Sequence, residues 1–185
     1  MLTDENQLIR EIIKGDKDKF RLLLNEYKNL IYSLIVKQVG NFQDAEELTQ
    51  EVFSKAYFNL HTFKFEAKFS TWLYRIAINT TNSYFTSRVY KERKRTTNFE
   101  VTLHQMKTTD SENSHVTKEE VSLFQIALGK LKPIFRDVLV LCALEGHSYE
   151  EVATMLDIPI GTVRSRLNSA RLSIKTEMVN LGKEV

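Results

Sequence analysis

The stretch from Ser148 to Ile174 constrains this chain more than any other. Ser148 and Glu151 have the spacing of a capping box, in which each side chain satisfies a free backbone N–H of the other. Val152, Ala153 and Leu156 give the helix that follows one short apolar face. Pro159 pushes Ile158 out of the helical region, yet suits the first turn of a new helix. Two short helices joined by a tight corner make the outline of a helix-turn-helix.

The second of these helices carries two stripes. Val163, Leu167, Ala170 and Ile174 line one side and are expected to pack inward. Arg164, Asn168, Arg171 and Lys175 repeat the same spacing about a quarter-turn away. An Arg near the start of such a helix can reach a guanine edge in the major groove, and Asn can pair with adenine. Ser165 and Arg166 lie beside the stripe; Arg166 points further round and is expected to touch the DNA backbone rather than bases. A solvated basic face would carry the same charges. The cap, the proline corner and the double stripe together favour DNA binding.

Composition sets the class. The chain has 185 residues, 42% of them hydrophobic, with only two Pro and six Gly. Together with Leu, Ile, Glu and Lys in helical spacing, this points to an all-α protein. The single cysteine, Cys142, excludes an internal disulfide and sits in an apolar run. The start of the chain lacks the charged and apolar regions of a signal peptide, and no apolar run reaches the length of a membrane span. A cytoplasmic location without membrane insertion is expected. Charge is uneven: residues 1–95 carry a net +4, residues 96–120 a net −3 and residues 121–185 a net +1. Two mildly basic ends around an acidic middle suggest two modules on a tether.

Periodicity fills in the modules. Leu8, Ile9, Ile12 and Ile13 face inward from a first short helix ended by Gly15. Asp16 or Asp18 is expected to cap a second, in which Phe20, Leu23, Leu24, Tyr27, Ile31, Leu34 and Ile35 are apolar up to Gly40. A third is expected from about Asp44 to Leu60, with Leu48, Val52 and Phe53 inward and early acidic residues facing its positive end. After a turn from His61 to Lys68, Ser70 is expected to cap a fourth that runs to about Arg95 and ends basic. Residues 96–117 lose periodicity and read as a flexible linker. Thr117 with Glu120 forms a second capping box, and Pro133 starts a helix that runs to Gly146. The division expected is 1–95, a linker at 96–117, and 118–185 with the helix-turn-helix.

Two further stretches are more specific than any periodicity: Asp44-Ala45-Glu46-Glu47-Leu48-Thr49-Gln50-Glu51-Val52-Phe53 and Phe69-Ser70-Thr71-Trp72-Leu73-Tyr74-Arg75-Ile76-Ala77-Ile78-Asn79-Thr80. With Ile158 to Arg166 they resemble bacterial RNA polymerase sigma factors of the sigma-70 family, in the small extracytoplasmic-function (ECF) group. The resemblance covers nearly the whole chain, in order. It implies two helical domains, core RNA polymerase and promoter DNA as partners, and an anti-sigma factor as a further partner. Leu48, Gln50, Glu51 and Phe53 would bind the polymerase. Phe63, Lys64, Phe65 and Asn79 would capture the single-stranded −10 element, where aromatic rings stack on unpaired bases. Arg88 and Lys91 would hold duplex phosphates just upstream. Arg164, Ser165, Arg166, Asn168, Arg171 and Lys175 would meet the −35 element. Trp72 shares a face with Leu73, Ile76 and Ala77, which favours a core role over a strand-separating one.

An enzyme is the first alternative. His61, His104, His115 and His147 are scattered, Cys142 is alone, and no Gly-rich phosphate loop or paired-carboxylate pattern appears. No catalytic residue, cofactor or metal site is expected. A stand-alone helix-turn-helix regulator is the second alternative. It would not need the Asp44–Thr80 stretches, and it would bind its site without core polymerase.

Overall fold

The computed structural model describes residues 4–87 and 118–182. The expected linker 96–117, the Thr117 cap and the basic residues Arg88 to Arg95 lie outside them. Every regular element among the described residues is helical.

Helix α1 (Glu5–Ile13) is capped by Asp4, whose carboxylate accepts from the Gln7 N–H at 2.9 Å. A 3-10 turn at Lys17–Lys19 precedes α2 (Phe20–Val39). Neither Asp16 nor Asp18 caps α2 as expected. Asp16 flanks the 3-10 turn without a side-chain cap and instead pairs with Lys19 at 2.7 Å. Gly40, at a left-handed φ of 70°, closes α2 with its N–H on Val36 O at 2.8 Å.

Helix α3 (Phe42–Asn59) starts earlier than Asp44 because Asn41 caps it, accepting from the Asp44 N–H at 2.9 Å. Asp44 is buried in the first turn and accepts from Tyr84 Oη at 2.6 Å. Helix α4 (Phe69–Thr86) corrects a second cap. The chain is still extended at Lys68, so helix begins at Phe69 and Ser70 falls inside the first turn. Leu23, Ile31, Leu34, Ile35, Val52, Phe53, Leu73 and Ala77 close the core that these helices share.

The second module comprises α5 (Lys118–Lys130), α6 (Pro133–Leu139), α7 (Tyr149–Leu156) and α8 (Ile160–Asn180). Pro133 opens α6 at its first position. The helix expected to run from there to Gly146 does not stay α. It widens into a π-turn at Val140–Leu144, with Glu145 N–H on Val140 O at 2.9 Å and His147 N–H on Leu141 O at 3.0 Å.

The two modules do not stand apart. Helix α2 packs on α5 and on the π-turn, and α4 packs on α7. Lys37 of α2 donates to Leu144 O at 3.2 Å and pairs with Glu145 at 2.6 Å. Asn82 of α4 donates to Asp137 Oδ2 at 2.8 Å and accepts from Arg136 at 3.3 Å. The Arg136 guanidinium lies 3.5 Å from the centre of the Phe85 ring. Arg75 donates to Thr154 O at 2.5 Å, with the Asp157 carboxylate 3.8 Å away. At the top of the joint, a Cβ on Gly40 would come within 3.1 Å of Gln125 Oε1. Glycine permits that approach as well as the positive φ.

Candidate nucleic-acid interface

The corner between α7 and α8 is built from local chemistry. Ser148 N–H donates to Glu151 Oε2 at 2.9 Å and Glu151 N–H donates to Ser148 Oγ at 3.2 Å, completing the capping box. These bonds, the backbone one first, hold the Glu151 carboxyl below its usual range. Asp157 ends α7 in the left-handed conformation, at φ 55°. Ile158 N–H then returns to Ala153 O at 3.1 Å. Pro159 flanks α8 rather than standing in its first turn, because its ψ of 145° is extended.

On α8, Val163, Leu167 and Ala170 are buried and Ile174 is half-buried. Arg164, Ser165, Asn168, Arg171 and Lys175 are all exposed. The stripe therefore stands on a helix whose opposite side is sealed. Arg166 is half-buried and turned towards α6, where its charge acts on Asp137. Burial pushes the Asp137 carboxyl up to about 6; the Asn82 hydrogen bond and the charges of Arg136 and Arg166 pull the other way. Asp137 Oδ1 is buried without a partner, which fits a group held against its preferred charge state.

The corner before α4 is arranged differently. Phe63, expected as a stacking surface, is buried at 5% exposure and packs on Phe65, Phe69 and Trp72, with ring centres 4.8, 5.7 and 5.7 Å away. Its ring is enclosed among three aromatic neighbours instead of being displayed as expected. Phe65 is half-buried between Phe63 and the Arg10 guanidinium, 4.6 Å over its ring. It also adopts φ 61°, a left-handed conformation that costs an aromatic residue energy and clusters at functional sites. Trp72 is half-buried, with one side against Phe63 and Phe69. Lys64 and Asn79 are exposed. Asn79 follows Trp72 and Ile76 along one face of α4 by the helical period.

A groove of about 740 Å³ runs between α2 and α3, lined by Phe20, Leu24 and Tyr32 on one side and Gln50, Phe53 and Tyr57 on the other. Gln50 is exposed, Phe53 forms the floor, and Leu48 lies buried behind it. Glu51 is not part of this groove. It pairs with Lys55 at 2.6 Å, and Lys55 reaches Thr80 of α4 at 3.2 Å. Tyr32, Lys28 and Asn29 line the groove but were not read from the sequence as contact residues. The signal available was polar positions interrupting the apolar run of α2.

Among the described residues, no cluster of His, Cys, Asp and Glu could hold a metal ion, and no helix is long and apolar enough to cross a membrane.

Comparison with known proteins assigns each module. Residues 23–89 match the family model for Sigma-70 region 2, and residues 123–174 match that for Sigma-70, region 4. The chain is 36% identical to the RNA polymerase sigma-H factor of Pseudomonas aeruginosa over the full length of both. It is 33% identical to the ECF RNA polymerase sigma-E factor of Haemophilus influenzae, with 96% of each chain covered. It is 32% identical to the ECF sigma factor SigW of Bacillus subtilis, covering 94% of this chain and 96% of the relative. Its fold resembles that of CnrH, solved in complex with the cytosolic domain of CnrY, at a TM-score of 0.63 and 21% identity over 95% of this chain and 97% of that one. It also resembles the sigma factor RpoE of Bartonella quintana, solved with the anti-sigma factor NepR, at a TM-score of 0.59 and 20% identity over 89% of this chain and 98% of that one.

Proposed function

From the premise that this chain belongs to the sigma-70 family of RNA polymerase sigma factors, in its ECF group, we propose how its two modules divide the work of promoter recognition. The chain is an alternative sigma factor: it binds core RNA polymerase and directs initiation through −10 and −35 elements. Sigma factors are initiation factors without enzymatic activity of their own.

Residues 118–185 read the −35 element as duplex. The observation that carries this assignment is the α8 stripe, with Arg164, Asn168, Arg171 and Lys175 exposed over buried Val163, Leu167 and Ala170. Arg164 and Asn168 enter the major groove, Ser165 supports them, and Arg171, Lys175 and Arg166 meet phosphates. Residues 1–95 engage the −10 element through Lys64, Phe65 and Asn79, with Phe63 holding the turn from inside. Arg88 and Lys91, outside the described residues, would hold duplex phosphates upstream.

Gln50 and Phe53, in the α2/α3 groove, form the polymerase contact, with Leu48 supporting it from the core and Glu51 on its flank. The groove's apolar floor and polar rim suit a protein helix better than a nucleic acid. An anti-sigma factor is a further partner, and the cytoplasm is the place of action.

Run-off transcription tests the reading. The chain is expected to give a promoter-specific transcript only with core enzyme; specific binding of the same DNA without core enzyme would support a stand-alone regulator instead. Glu51→Lys, which reverses a charge at the edge of the contact, is expected to weaken pull-down of core enzyme. Unchanged capture would remove Glu51 from that surface.

A further inference from the structure

One apolar cluster runs through both modules. Beside it, a cavity of about 430 Å³ opens between the start of α4 and α7. That volume falls within the range of small-molecule sites, about 300–1,000 Å³. Two polar atoms on residues of its wall are buried with no hydrogen-bond partner: the hydroxyl of Tyr74, a residue 2% exposed, and His147 Nε2. The two rings meet edge to face, with centres 5.1 Å apart. Burial, and after it the charges of Glu145 and Glu151, push the Tyr74 hydroxyl above its usual range, so it stays a neutral donor. Leaving such a group unpaired costs stability, so its presence calls for a partner.

The walls of the cavity differ in chemistry. On one side α4 begins without a side-chain cap, so the N–H groups of Phe69, Ser70 and Thr71 lack the partner that a cap supplies. Lys68, Ser70 and Thr71 line this positive end of the helix, and Ser70, Thr71 and Tyr74 share one face of it. On the other side α7 presents Glu150 and Glu151. Glu151 is held by Ser148, which leaves the exposed Glu150 as the available carboxylate. Beyond the Ser148 bonds, the charges of His147 and Lys68 lower the Glu151 carboxyl, so the two walls lie within electrostatic range of each other. Leu30, Ala67 and Met155 add an apolar part to the lining.

We propose that this cavity is a binding site for a small zwitterion, an α-amino acid with an apolar side chain. Its carboxylate sits on the uncapped start of α4 beside Lys68 and accepts from the Tyr74 hydroxyl. Its ammonium is received by Glu150, and its side chain packs on Leu30, Ala67 and Met155. A simple anion is disfavoured by the carboxylates of Glu66, Glu150 and Glu151 around the cavity, and a simple cation leaves the donors of α4 unmet. Because the walls come from different modules, occupancy stabilises α4 and α7 together.

The test is titration calorimetry and thermal unfolding of the free full chain with L-leucine, L-methionine and L-phenylalanine. Acetate serves as the carboxylate alone and isoamylamine as the ammonium with an apolar tail. At least one of the three amino acids is expected to bind saturably and raise the melting temperature, with both half-ligands weaker by on the order of tenfold or more. Tyr74→Phe removes a buried unpaired hydroxyl. It is expected to melt no lower than the wild type without ligand, yet to lose affinity on the order of tenfold. Glu150→Gln changes an exposed residue, keeps the fold and is expected to lose affinity for the amino acid while acetate binding holds or improves.

No binding of any of the three amino acids to the wild-type chain would overturn the site and reduce the unpaired atoms to hydrated ones. Acetate bound as tightly as the amino acids would overturn the zwitterion. Affinity unaltered in either variant would remove the ligand from this cavity. None of these measurements needs polymerase or promoter, so their failure is distinguishable from failure of the function proposed above.

Discussion

The two faces proposed to meet nucleic acid are built on opposite principles. On α8, Arg164, Asn168, Arg171 and Lys175 stand outward from a helix whose other side is sealed by Val163, Leu167 and Ala170. At the corner before α4, the aromatic residues expected to read bases are packed on one another, with Phe63 at the centre. A helix advances ~100° per residue, so it can bury one stripe and display another without conflict. A short turn has no such spare face, and its large apolar rings go to the core. What the turn displays is Lys64 and the exposed part of Phe65, and Asn79 is displayed from α4 beside it.

The largest effect that would break this contrast concerns Phe63. If its ring is structural, Phe63→Ala costs about 3–5 kcal/mol of stability, measured by thermal or urea unfolding. Lys64→Ala should leave stability unchanged and weaken capture of single-stranded −10 DNA. A stable Phe63→Ala protein with specifically impaired base capture would mean that the ring is displayed after all.

The next effect concerns the base of α8's module. Asp137 has a folded value near 6, above its usual 3.8, so the protonated form is favoured in the fold. Its contribution to stability is complete below the unfolded value and is lost as pH rises through about 6. Ionising it at pH 7 costs on the order of 3 kcal/mol. Asp137→Asn should raise stability at neutral pH and remove this fall between pH 4 and 6, seen as a flatter melting-temperature profile. An unchanged profile would mean that Asp137 is not held against ionisation.

Smaller effects separate positions within the stripe. Arg164→Ala should lose about 1–3 kcal/mol at one base pair of the −35 element and relax preference there. Lys175→Ala should weaken all sequences alike and lower the salt dependence of binding by about one unit. Binding to a panel of −35 variants at two salt concentrations distinguishes the two. Equal, sequence-independent losses would reduce the stripe to a basic face.

The helix-turn-helix was legible from residues because its determinants are local. The Ser148–Glu151 box, the Pro159 corner and the two stripes each act within a turn or two of helix. The caps of α2 and α4 were misplaced because several polar residues near each start could serve, and the backbone chose Lys19 and Lys68 as flanks. The π-turn was not legible, since Val140 to Leu144 are as apolar as any helix. The burial of Phe63 is not written in its turn, because turn residues usually face water; what buries it is Phe69 and Trp72, which meet it in space. The joint between the modules was the least legible feature. Lys37 and Glu145, or Asn82 and Asp137, are far apart in sequence and ordinary in type.

The most direct test of the account is a promoter library randomised over both elements. It is scored for transcript start and yield with core enzyme and the wild-type chain, with Arg164→Ala and with Asn79→Ala. The account predicts that Arg164→Ala loses preference at a position of the −35 element and keeps the −10 preference. Asn79→Ala should do the reverse, losing hydrogen bonds to an extruded base. Uniform loss of yield with both preferences intact, or loss of both preferences in either variant, would contradict the division of reading between the two faces.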